Sequence, residues 1–66
     1  MPYVIGFGAR NTLGVSTAEK RTAKEALELV EALQRSEEEI KFIRAPAEGE
    51  IGIEMLRVLV SEEGFD

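Results

Sequence analysis

The sequence predicts a small α+β domain in the order ββαβα, one short sheet with two helices packed on it. Three observations carry that expectation. Tyr3-Val4-Ile5-Gly6-Phe7 has the β-branched and aromatic content of a strand. The apolar positions Ala23, Ala26, Leu27, Val30 and Leu33 follow the 3.6-residue period of a helix behind a capping box. Ile40-Lys41-Phe42-Ile43-Arg44 is a second β-rich run, set off from the helix by three consecutive glutamates.

Taken in order, Pro2 suits the residue that opens a strand, and alternation places Tyr3, Ile5 and Phe7 on one face with Val4 and Gly6 on the other. Arg10-Asn11-Thr12 is a turn, after which Leu13-Gly14-Val15-Ser16-Thr17 alternates again, with Leu13, Val15 and Thr17 on one side; the two runs read as a hairpin. Both Ser16-Thr17-Ala18-Glu19 and Thr22-Ala23-Lys24-Glu25 have the form of a capping box. Thr22 is the preferred cap, because a helical turn between the two would have only Ala18 to bury. Ser36 and Glu37-Glu38-Glu39 end the helix, since three like charges are unfavourable at its negative pole. The following strand, residues 40–44, stops at Ala45-Pro46, and residues 47–50 form a turn or the start of a helix. The last segment carries both signals: Ile51, Ile53, Val58 and Val60 favour a strand, whereas Glu54-Met55-Leu56-Arg57 and the helix-end pattern Ser61-Glu62-Glu63-Gly64 favour a helix from about Glu50 to Glu63. The alternative order, ββαββ, replaces that helix by a strand paired with residues 40–44. The expected core is Ile5, Phe7, Leu27, Val30, Leu33, Ile40, Phe42, Leu56 and Leu59.

Composition limits what such a domain does. A chain of 66 residues forms one domain that buries only about 60% of its unfolded surface. Without cysteine or histidine, neither a disulfide framework nor a thiolate or imidazole metal site reinforces it. The chain has no signal-peptide pattern and no apolar run long enough for a membrane span, so a soluble cytoplasmic protein is expected. Its net charge of −5 is uneven: residues 10–24 hold Arg10, Lys20, Arg21 and Lys24 against Glu19, while residues 25–66 hold 12 acids against Arg35, Lys41, Arg44 and Arg57. That acidic majority argues against a nucleic-acid partner, which calls for a positive surplus.

The residues that carry chemistry are sparse. The commonest general base and the thiol nucleophile are missing, and Ser16, Thr17 and Ser61 are accounted for as caps or turn residues. Gly6-Phe7-Gly8 and Gly14 invite comparison with a dinucleotide fingerprint, but the third glycine would fall at Asn11 and no helix follows at once. An anion- or nucleotide-binding turn from Gly8 to Gly14, served by Arg10, Asn11 and Lys20, is the alternative functional reading. Glu37, Glu38, Glu39, Glu48 and Glu50 match no calcium-loop spacing and read as a solvated rim. No cofactor and no metal are expected.

Pro2 opening an apolar strand, Arg10 nearby, Glu19 and Lys20 before a helix, and residues 40–44 as a further strand resemble, in order and size, the 4-oxalocrotonate tautomerase family. The resemblance implies a small βαβ oligomer with Pro2 as the catalytic amine. It covers about the first 45 residues; Ile51-Gly52-Ile53 does not match that family's aromatic and glycine-rich tail, and with Met1 in place Pro2 is not a free amine.

The leading expectation is a non-catalytic protein whose partner is itself, most simply a homodimer. Residues 51–60 contain seven large apolar side chains, more than one side of a surface helix buries. A two-fold axis lets such a patch cover its own copy, with Met55, Val58 and Val60 near the axis and Phe65 over the rim.

Overall fold

The computed structural model describes residues 2–11 and 13–63. Strand β1 (Tyr3–Ala9) is followed by β2 (Ser16–Lys20), helix α1 (Ala23–Arg35), β3 (Glu38–Ala45), β4 (Gly49–Ile51) and helix α2 (Ile53–Glu63). The fold is α+β, in the order ββαββα, with one antiparallel sheet of strand order β2-β1-β3-β4. Both expected helices form, and the ambiguous last segment is helical from Ile53. The addition is β4, three residues where a turn or helix start was expected. Gly49 takes a φ of 77°, a conformation that favours glycine, and the reversed chain pairs Ile51 with Ile43.

The second strand lies three residues later than its alternation suggested. β2 pairs with β1 from Phe7↔Ser16 to Tyr3↔Lys20, so Leu13 and Val15 precede it and the capping-box candidate Ser16-Thr17-Ala18-Glu19 is strand, not helix start. Asn11 helps to turn the chain at a φ of 64°, which a short polar side chain tolerates. Thr22 caps α1 as expected: its hydroxyl accepts from the Glu25 amide at 3.1 Å and its carbonyl from the Ala26 amide at 3.0 Å. At the far end, Ser36 donates its amide to the carbonyls of Ala32 and Leu33.

The pairing of β1 with β3 decides which side chains enter the core. Gly6 lies opposite Phe42 but Phe7 lies opposite Ile40, so Lys41 is an extra residue in β3. Such a bulge reverses the inside-outside alternation. Ile43 and Ala45 are therefore buried against the helices, Ile40 also packs there, and Phe42 projects from the opposite face. Strict alternation placed Phe42 inside and overlooked Ile43, which is 3% exposed. On the helix-free face, the Phe42 ring occupies the space where a side chain on Gly6 would stand. The Arg44 guanidinium lies 5.1 Å from that ring's centroid, a cation–π contact.

α1 lies over β1, β3 and β2, and α2 lies beside α1. Ile5, Val30 and Leu56 are fully buried, and Tyr3, Ala23, Ala26, Ile43 and Ala45 complete the buried core. Phe7, Leu27, Leu33, Ile40 and Leu59 pack against that cluster half-buried, at its margin rather than its centre. Leu56→Ala is accordingly expected to cost about 2–5 kcal/mol, and Leu33→Ala less. Gly6→Ala forces the Phe42 ring aside and is expected to cost about 1–3 kcal/mol. In urea denaturation the Gly6→Ala loss should shrink when Phe42→Ala is already present; strict additivity would show that the two sites do not interact.

Candidate functional site

α2 is the element with more apolar surface than its neighbours cover. Ile53, Leu56 and Val60, at spacings of three and four, face α1 and the core, with Leu59 at the boundary. Met55 and Val58, one turn apart, face away and are 44% and 50% exposed. Of the residues expected at an interface, Met55 and Val58 share an open face. Val60 does not join them, because its place on the helix turns it towards the core cluster, and Phe65 lies outside the described residues. The other large exposed apolar side chains among the described residues are Leu13, at 101%, and Val15, at 51%. Alternation in the sequence had placed both on a strand; their exposure follows from the later start of β2.

The end of α2 engages the start of α1. One Glu63 carboxylate oxygen accepts from the Ala23 amide at 2.8 Å and the other from the Lys24 amide at 3.1 Å. With Thr22 serving the Glu25 amide, the first three amides of α1, which have no partner within the helix, are all satisfied. The carboxylate also sits at the positive pole of α1. Sequence reading saw Glu63 only as part of a helix end, because nothing local announces a contact forty residues away. Tyr3 lies nearby: burial first, then the negative charges of Glu63, Glu48 and Glu62, raise its phenol above the ordinary value of 10.0.

The anion-binding alternative depended on Arg10, Asn11 and Lys20 converging. They do not. Lys20 pairs with Tyr3 at one end of the hairpin, whereas Arg10 follows the other end of β1, roughly 20 Å away at about 3.3 Å per residue. Arg10 lines an open hollow with Ala9, Ser36 and Glu37; Lys20 lines another with Pro2, Glu19 and Arg21. Gly8 is needed for packing, since a side chain there would strike the Gly14 carbonyl. The arrangement implied by the tautomerase resemblance is likewise absent: β1 and β3 are adjacent but antiparallel, so α1 does not complete a parallel βαβ unit, and Arg10 is at the opposite end of β1 from Pro2. The acidic residues are dispersed. Among the described residues no three carboxylates are placed to hold a metal ion, and Glu39 pairs with Lys41 at 3.6 Å. No helix among them is long and apolar enough to cross a membrane.

No protein family, curated protein or solved structure matches the chain.

Two measurements check the contacts around Glu63. Glu63→Ala removes the acceptor of two helix-end amides and is expected to lower stability by about 0.5–2 kcal/mol. The raised Tyr3 phenol means that the unfolded chain ionises first. Its contribution is full below pH 10 and is lost as pH rises through the folded-state value. Tyr3→Phe should flatten the fall in stability above pH 10; an unchanged slope would remove Tyr3 as its source.

Proposed function

We propose that the protein acts by associating with itself, most simply as a homodimer in the cytoplasm, without catalysis of its own. The observation that carries this reading is the open Met55–Val58 face of α2, two large apolar side chains one turn apart on a helix whose other side is already packed. The modest core supports it as well. Among the described residues, three of the eight buried hydrophobic side chains are alanines, and a small domain that lacks disulfides gains stability from a partner. The absence of histidine and cysteine from the sequence, and the separation of Arg10 from Lys20, leave the catalytic and anion-binding readings without a convergent set of groups.

Sedimentation at micromolar concentration is the direct test. The native chain is expected to run as an oligomer, and Met55→Lys combined with Val58→Lys to run as a folded monomer, since both positions are open to solvent in a single chain. A native chain at monomer mass across the concentration range would refute the reading.

A further inference from the structure

We draw no further inference here: the strongest candidate, the open groove of about 300 Å³ between α1, β3, β4 and the start of α2, lined by Val30, Gln34, Ile40, Ile43, Ile51 and Ile53, carries none, because nothing in the structure shows what covers it.

Discussion

The antiparallel pairing of β1 with β3, locked by the stacking of Phe42 over Gly6, is the contact on which the rest of the fold depends. Only glycine leaves room for the ring at that position, and the extra residue at Lys41 follows directly in the register. With the bulge there, Ile43 comes under α1 beside Ile5, and Ile40 comes under it beside Phe7. Without it, one of the two isoleucines would point to solvent, since one step of register exchanges the faces of a strand. The bulge also keeps the helix-free face sparse, with Phe42 and Arg44 stacked on each other rather than spread as an apolar sheet surface.

Above the sheet, a polar contact sets the helix pair. Glu63 reaches from the last turn of α2 to the first amides of α1, and at the other end Ile53 and Gln34 line the same groove, so the two helices run antiparallel. Alanines at positions 23 and 26 of α1 keep its packed face narrow. Leu56 then fills the core from α2, while Met55 and Val58 on the far side of the helix stay about half exposed among the described residues. The exposure of Met55 and Val58 is thus a geometric result: a helix beside another helix, rather than sandwiched between layers, keeps one face open among the described residues.

The turn into α2 shapes the sheet edge. β4 ends after three residues because the chain must leave the sheet at Gly52 to begin α2. Among the described residues β4 pairs with only the last three residues of β3, and Leu13 and Val15 ahead of β2 are exposed.

Much of the fold was legible from residues near one another in the chain. The Thr22 cap, the amphipathic run to Arg35 and the acidic stop after it depend on neighbours within a turn, and each is local enough to read directly. The strand at Tyr3 and the helical character of Glu54-Met55-Leu56-Arg57 were likewise written in short-range preference. So was the apolar surplus of residues 51–60, from which Met55 and Val58 follow. What required tertiary structure was everything settled by a distant partner. The bulge at Lys41 arises from pairing with Gly6, the start of β2 from its register on β1, and the turning of Val60 inward from the position of α1. The Glu63 contact joins groups forty residues apart, and the separation of Arg10 from Lys20 is set by the hairpin's geometry. Periodicity tells which residues share a face of an element; only packing decides which of those faces is covered.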